Sequence, residues 1–293
     1  MPIRSRTLKQ QTRQALRAAS LPPPLVTMIF LLLTTFLVDG INAFLPDGSL
    51  YSMGFLPMFL SVLLIIYQLV MKFGYSCWAL ETARGEDRGL WSLLDGFGMV
   101  GKVLFTEGRI TLGIVGRGAL LIISYSIVLV ALAGIGSPVL SVILILLVSV
   151  TFYISLASLT LRYSLARFVL YDQPQAGSMV AVHRSLELMS GHIWSMCKLY
   201  LSFWPWYLLE VVMTLAVLFF TMAPELTQTA TLYAAGDLEG LFIAVESALY
   251  TAMDSPVLTM CLIPLYLLRQ PYQAVALANF YRALSPDPAP APA

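Results

Sequence analysis

The chain has 293 residues, of which 58% are hydrophobic and 11% are charged, and its formal net charge is +1. Soluble domains carry about 25% charged residues, so this composition excludes an ordinary soluble protein, and we expect no nucleic-acid partner. Cys77, Cys197 and Cys261 lie far apart and show no C-x-x-C or Cys/His ligand spacing. We therefore expect packing residues rather than a disulfide framework or a zinc site.

The amino-terminal segment, residues 1–23, is basic and is predicted to form an amphipathic helix. Lys9, Arg13 and Arg17 recur every four residues, with Leu8 and Leu16 turned away from them. Such a helix suits the surface of an anionic inner leaflet, and a solvated tail that only sets orientation fits the same pattern. The apolar run that follows lacks a cleavage site, so we expect a first membrane helix rather than a secretory signal.

Six segments approach or exceed the roughly 18 to 20 apolar residues that cross a bilayer as a helix. They are residues 24–45, 54–75, 116–135, 137–161, 193–221 and 256–276. Helices satisfy their own backbone hydrogen bonds, which lipid cannot do. The sequence therefore predicts an all-α fold. It is a polytopic transmembrane bundle of about six spanning helices in one domain, residues 24–284, with short amphipathic interfacial helices.

The distribution of basic residues distinguishes the two sides of this bundle. All 17 Lys and Arg residues fall in the amino-terminal tail, between spans two and three, between spans four and five, or toward the end of span six. The predicted outer side carries acids and no base. Because Lys and Arg accumulate on the cytoplasmic side of membrane proteins, this pattern predicts an even number of spans with both termini in the cytoplasm.

Three further segments have distinctive compositions. Residues 89–105 mix large apolar residues with frequent glycines, which predicts a kinked interfacial or partly re-entrant segment. Residues 241–253 are predicted to lie at the outer interface, with Asp254 or Ser255 capping the last helix. Residues 285–293 are rich in proline and are predicted to be a disordered tail.

Residues 177–192 are predicted to form a short amphipathic helix on the inner membrane surface. Ser178 is the expected N-cap, and Gly191 is the expected left-handed residue after the helix end. The predicted apolar face consists of Met179, Val182, Leu186 and Met189, and the polar face consists of His183, Arg184 and Glu187. His183 and His192 are separated by the helix break, which argues against a metal site. Neither Ser185 nor Ser190 lies in a strained nucleophile motif, so we predict no catalytic, metal or cofactor residues.

Residues 163–209 carry a family resemblance. They contain a Tyr–Ser pair at 163–164, S-x-x-L-M-x-G-x-x-W at 185–194 and L-x-L-S-F-x-x-W-Y-L at 199–208. Together with residues 6–16, 83–102 and 271–284, this pattern resembles the DUF975 family of uncharacterised bacterial integral membrane proteins. Its interfacial motif corresponds here to Arg184, Ser185, Glu187, Met189, Gly191, His192, Trp194, Ser202, Trp206 and Tyr207. The resemblance implies a multi-pass protein of the bacterial plasma membrane and assigns no activity.

The chain departs from the family pattern in two places. Trp204 and Pro205 replace what is often a small or aliphatic pair, so we expect a kink in the fifth span. The acidic region 225–254 is longer than the usual connection.

Two acids fall inside predicted spans and are candidate functional residues, because an ionisable group there costs a few kcal/mol or more. They are Asp39 in the first span and Glu210 in the fifth. With every base assigned to the inner side, we expect neither acid to find a Lys or Arg partner. They would then be protonated, hydrogen-bonded or cation-bound, or they would lie hydrated among the outer headgroups.

These patterns favour a non-catalytic inner-membrane module that binds lipid or a protein partner. The expected partners are the anionic inner leaflet and either a membrane protein or a second copy of the chain. The alternative is a small-solute or ion transporter that uses Glu210 and Asp39. A membrane enzyme has no supporting signature in the sequence.

Overall fold

The computed structural model describes residues 5–43, 55–86, 88–133, 138–234, 246–247, 250 and 256–285. All regular structure within these ranges is helical, which confirms the all-α prediction. The α-helices are α1 Ser5–Ala18, α2 Pro23–Leu31, α3 Leu37–Ala43, α4 Phe55–Arg84, α5 Val100–Ala133, α6 Pro138–Tyr163, α7 Ala166–Asp172, α8 Gly177–Met189, α9 Ile193–Leu201, α10 Trp204–Ala234 and α11 Pro256–Leu284. A π-helical segment, Leu32–Phe36, joins α2 to α3, and a 3-10 helix, Gly89–Met99, precedes α5.

Three helical stretches are long and apolar enough to span a membrane, namely Pro57–Arg84, Gly89–Ala131 and Leu140–Asp172. Two bent pairs raise the number to five if each pair forms one broken span. They are Thr7–Ala18 with Pro23–Phe36, bent by 84°, and Ile193–Leu201 with Trp204–Phe220, bent by 48°. The predicted count of six is therefore not confirmed. The last helix, α11, falls short because Arg269, Gln270 and Gln273 follow its first apolar half.

The packed core lies at one end of the bundle. It joins α1, the second half of α4, α7, α9 and the second half of α11, and its largest fully buried side chains include Phe73, Leu80, Leu165 and Phe280. We call this the basic end, because Arg84, Arg167 and Arg282 also lie there. The apolar windows of the second and third long stretches are only 6% and 0% buried by protein. Hydrophobic packing within the chain is therefore concentrated at the basic end.

Helix α1 is docked on this core. Leu8 and Thr12 are buried, Lys9 Nζ donates a hydrogen bond to the Ser202 carbonyl at 2.7 Å, and Asn279 Nδ2 donates to Thr12 Oγ1 at 3.2 Å. The solvated-tail interpretation is thus wrong for Ser5–Ala18. The 84° bend before the second helix lays α1 across the end of the bundle.

The 3-10 helix packs directly against α4. A Cβ added to Gly74 would lie 2.0 Å from the Leu93 carbonyl oxygen, and one added to Gly96 would lie 2.6 Å from the Val70 carbonyl oxygen. Glycine at both positions therefore allows the two backbones to touch. Because a 3-10 helix has three residues per turn, the exposed side chains of Trp91, Leu94 and Phe97 form one apolar row on its outer surface.

Helix α8 differs from its predicted form. It begins at Gly177, with φ of +82°, and Ala176 precedes it without a side-chain cap, so the predicted Ser178 cap is wrong. Its buried residues are Ala181, Ser185 and Met189, whereas Met179 is 65% exposed. Met189 is buried as predicted, and Ser185 Oγ donates to the Arg162 carbonyl of α6 at 2.9 Å.

Other predicted features have mixed outcomes. Gly191 has φ of +81° just after α8, as predicted for a left-handed stop. The predicted kink in the fifth span is confirmed by the break between α9 and α10, which precedes Pro205. The predicted outer interfacial segment 241–253 lies almost wholly outside the described residues, as do Asp254, Ser255 and all but the first residue of the 285–293 tail.

Candidate functional site

Glu81 on α4 is the centre of a polar cluster at the basic end. Its side chain is 0% exposed. Arg88 Nη2 donates to Glu81 Oε1 at 2.5 Å, and the hydroxyls of Ser92 and Tyr171 also donate to the carboxylate. Burying a lone carboxylate would cost several kcal/mol. Three donors from three parts of the chain offset that cost and fix α4, the 3-10 helix and α7 to one another.

Arg88 extends the cluster toward solvent. Its side chain is 57% exposed and lies 3.3 Å from Asp95 Oδ2 on the 3-10 helix. Its guanidinium also donates to the Tyr171 hydroxyl at 2.7 Å. One arginine therefore neutralises a buried acid and a partly exposed one.

A second ion pair joins Arg84 on α4 to Asp172 on α7. Each of the two terminal nitrogens of Arg84 lies 2.8 Å from one carboxylate oxygen. Tyr281 on α11 donates its hydroxyl proton to the same carboxylate at 2.8 Å. Bidentate pairs of this kind are stronger and more directional than single charge contacts, so they set the positions of three helices.

A third ion pair joins Arg167 on α7 to Glu107 on α5. The Nε donates to Glu107 Oε1 at 2.5 Å, and Nη2 donates to Oε2 at 3.1 Å. The short helix α7 thus supplies Arg167, Tyr171 and Asp172 to three different contacts. We call the Glu81, Asp172 and Glu107 clusters together the α7 network.

The α7 network was missed at the sequence level. The distribution of basic residues distinguishes the two sides of the bundle but does not predict which acids among them pair, namely Glu81, Glu107 and Asp172. The usable signal was an acid, Glu81, that directly follows the apolar residues 77–80 near the end of a long span. In this arrangement each carboxylate is engaged by a base, so the network serves to hold helices together.

Glu210 does have a basic partner, contrary to our expectation. Arg269 Nε on α11 lies 2.8 Å from Glu210 Oε1, although this N–H is not aligned for a hydrogen bond. The guanidinium also lies 4.6 Å from the centre of the Tyr207 ring. The error has a structural cause. The bent pair makes α10 start at Trp204, so Glu210 lies only about 9 Å along that helix at roughly 1.5 Å per residue.

Asp39, the other candidate acid, lies on α3. Its side chain is outside the described residues, so its predicted role stays a prediction.

The residues in the first half of the family motif have structural roles. Some pack in the core, one forms a turn, and others form ion pairs on the surface. Ser185 and Met189 are buried, and Gly191 supplies the turn. Arg184 Nη1 donates to Glu187 Oε2 at 3.0 Å, and His183 lies 3.2 Å from Glu187 Oε1. The hydrogen bond from Arg184 lowers the pKa of the exposed Glu187 carboxyl below its ordinary value. These i,i+3 and i,i+4 pairs lie on the predicted polar face.

The second half of the motif links α9 and α10 to their neighbours. His192 Nδ1 lies 3.2 Å from the Ser190 carbonyl, and the exposed Trp194 ring lies 5.7 Å from Lys198 Nζ. The Ser202 carbonyl accepts the bond from α1, and Tyr207 accepts a hydrogen bond from Gln273 Nε2 at 2.7 Å. Trp206 is half-buried against the core.

Two cavities accompany these contacts. The first is a groove of about 450 Å³ where α1 meets α2 and α11, and we call it the α1 groove. Its lining residues are Arg13, Leu16, Arg17, Pro23, Pro24, Trp206, Leu268, Pro271 and Tyr272. The second, the inter-helix cavity, has about 270 Å³ between α2, α4, α7, α9 and α11. Its polar lining residues are Lys72, Tyr75, Ser76, Arg167, Tyr200, Tyr266, Gln270 and Gln273.

Comparison with known proteins gives the family and no relative of known activity. No curated protein and no solved structure matches the chain. A family model described as "Protein of unknown function (DUF975)" matches residues 1–287. Because this match covers nearly the whole chain, the protein belongs to DUF975, as the residue pattern at 163–209 had indicated.

Proposed function

We propose that this chain is a non-catalytic membrane module whose basic end faces the inner leaflet and binds anionic lipid. The observation that carries the proposal is the placement of α1. It lies at 84° to the apolar helix that follows it, and it is held there by its contacts with Ser202 and Asn279. When α2 crosses a bilayer, α1 therefore lies along the bilayer surface.

The side of α1 that faces away from the core carries Arg13 and Arg17, both exposed. Within the part of the chain that the structure describes, no carboxylate lies within ion-pair distance of either arginine. The α1 groove places these two cations beside the apolar surface of Leu268 and Pro271. A phospholipid has the matching chemistry, an anionic headgroup joined to acyl chains, and basic recesses between membrane helices favour such headgroups.

A transport role through Glu210 and Asp39 has less support. Arg269 neutralises Glu210, so this acid is not the lone titratable group that the transport hypothesis required. The proposed module also needs no chemistry at the α7 network, which joins α4, the 3-10 helix, α5, α7 and α11.

Lipid selectivity of the full chain tests the proposal. The protein is purified in mild detergent with mixed phosphatidylcholine and phosphatidylglycerol, and the co-purifying lipids are measured by mass spectrometry. We expect phosphatidylglycerol to be enriched several-fold over its share in the mixture, and the double variant Arg13→Gln, Arg17→Gln to lose most of that enrichment.

The matched control is Lys102→Gln, Arg109→Gln, which removes the same charge from exposed positions on α5. This control should keep the enrichment. Equal loss in both double variants would show a general charge effect, and absence of enrichment in the unaltered protein would contradict lipid binding.

A further inference from the structure

We propose that the inter-helix cavity is a binding site for a small organic anion, a carboxylate or phosphate group on a compact apolar body. The cavity has a volume of about 270 Å³ and shares no lining residue with the α1 groove. The inference is therefore independent of lipid binding at α1.

The cavity is lined by polar groups that the protein itself leaves unused. The Lys72 ammonium, the Tyr200 and Tyr266 hydroxyls and the Gln270 amide make no hydrogen bond to any other described residue. Lys72 is exposed and the other three side chains are half-buried, so these four donors around one space are free to bind the acceptor atoms of a guest that enters it.

The charge of the lining selects an anion. Lys72 and Arg167 are its ionisable cations, and no acid lines the cavity. Arg167 uses Nε and Nη2 to bind Glu107, which leaves Nη1 for another acceptor. The positive charge of Arg167 is balanced by Glu107, so Lys72 supplies the unmatched charge. A single negative group on the ligand would complete the balance.

The apolar lining residues and the volume of the cavity indicate the size and polarity of the rest of the ligand. Phe30, Ala79, Phe168 and Leu277 contribute apolar surface. The volume lies below the roughly 300 to 1,000 Å³ typical of pockets for drug-sized molecules. The geometry therefore suits a ring or short chain with one anionic group, held by Lys72 with the tyrosine hydroxyls and the Gln270 amide donating to its oxygens.

Direct binding to the full chain tests this site. The protein is reconstituted in nanodiscs of phosphatidylcholine alone, and binding of two probes, benzoate and phenyl phosphate, is measured by calorimetry. We expect saturable binding of at least one probe. A charge-assisted hydrogen bond is lost in Lys72→Met, which should weaken the affinity about tenfold, and Tyr200→Phe should weaken it less.

Lys102→Met is the matched control, since Lys102 is exposed on α5 and does not line the cavity. It should leave the affinity unchanged. Tyr200→Phe keeps the aromatic ring, so it reports on the hydroxyl even if Lys72→Met unfolds. The proposal is overturned if neither probe binds, or if binding survives both Lys72→Met and Tyr200→Phe unchanged.

A second arm separates a soluble anion from a lipid headgroup. The titration is repeated in nanodiscs that contain phosphatidylglycerol. Competitive weakening of probe binding would assign the site to a headgroup phosphate, whereas unchanged affinity would assign it to a soluble anion. The α1 variant Arg13→Gln, Arg17→Gln should bind the probes normally, so failure of lipid binding at α1 and failure of this site are distinguishable.

Discussion

At the scale of single residues, each buried acid in the described part of the chain forms an ion pair with a base from another segment. Glu81 lies against Arg88, Glu107 against Arg167 and Asp172 against Arg84. Replacing a buried ion pair by apolar groups is often neutral, whereas removing one partner is strongly destabilising. The network therefore sets which helices meet, and its parts respond sharply to single substitutions.

Glu81→Gln tests this at the centre of the network. The amide keeps the size of the side chain but removes the charge that holds Arg88, so we expect a loss of about 2 to 3 kcal/mol in unfolding free energy. This expected loss is smaller than the roughly 3 to 5 kcal/mol typical of breaking a buried ion pair, because the Arg88 side chain is partly in contact with water. The measurement is thermal unfolding of the detergent-solubilised protein. Glu86→Gln, at an exposed position five residues on, should change little, and equal melting temperatures for both variants would contradict the role of Glu81.

At the scale of elements, the 3-10 helix and α4 meet backbone to backbone at two glycines. Gly74 faces the Leu93 carbonyl, and Gly96 faces the Val70 carbonyl. Runs of 3-10 helix longer than three or four residues are uncommon. Here the pairing with α4 and the hydrogen bond from Ser92 to Glu81 hold an eleven-residue run in place.

Gly74→Ala and Gly96→Ala test the contact. Each new methyl group would meet backbone atoms that cannot rotate away, so the 3-10 helix must shift, at an expected cost of about 1 to 3 kcal/mol. Gly98→Ala is the control, because a Cβ there meets nothing within 4 Å. Thermal unfolding compares the three variants. Stability at Gly74→Ala equal to that at Gly98→Ala would show that the contact is looser than described.

The helices also show which features of the fold can be predicted from the sequence. Hydropathy and spacing predicted an all-α chain with several spans, the stop at Gly191 and the break before Pro205, because each depends on neighbouring residues. The docking of α1 depends on Lys9 and Ser202, which are 193 positions apart, and no local pattern encodes that distance. The buried face of α8 was predicted only in part: Met189 is buried as predicted, but Ala181 and Ser185 are buried beside it, and the contact of Ser185 with Arg162 on α6 is not visible in the local pattern.

At the candidate sites, too, contacts between distant parts of the chain could not be predicted from the sequence. Glu210 was singled out as an acid inside a predicted span, but its partner Arg269 lies on another helix. The inter-helix cavity draws its lining from five helices, so its composition is visible only once they are packed. The basic character of residues 1–23 was predictable, whereas the groove beneath Arg13 and Arg17 was not.

At the scale of the whole molecule, a packed basic end supports apolar helices that are largely unpacked within the chain. The α1 helix lies across this end and turns by 84° into the next helix. Such an arrangement suits a protein whose packed end meets one leaflet and whose long helices contact lipid.

Depth measurement by electron paramagnetic resonance tests that arrangement most directly. With the three native cysteines replaced, nitroxide labels are placed at Gln10 on the exposed side of α1 and at Leu32, which is 47% exposed. In nanodiscs containing phosphatidylglycerol, we expect the Gln10 label at headgroup depth and the Leu32 label well inside the hydrocarbon. A Gln10 label in bulk water, or at the same depth as Leu32, would contradict the placement of α1 on the membrane surface.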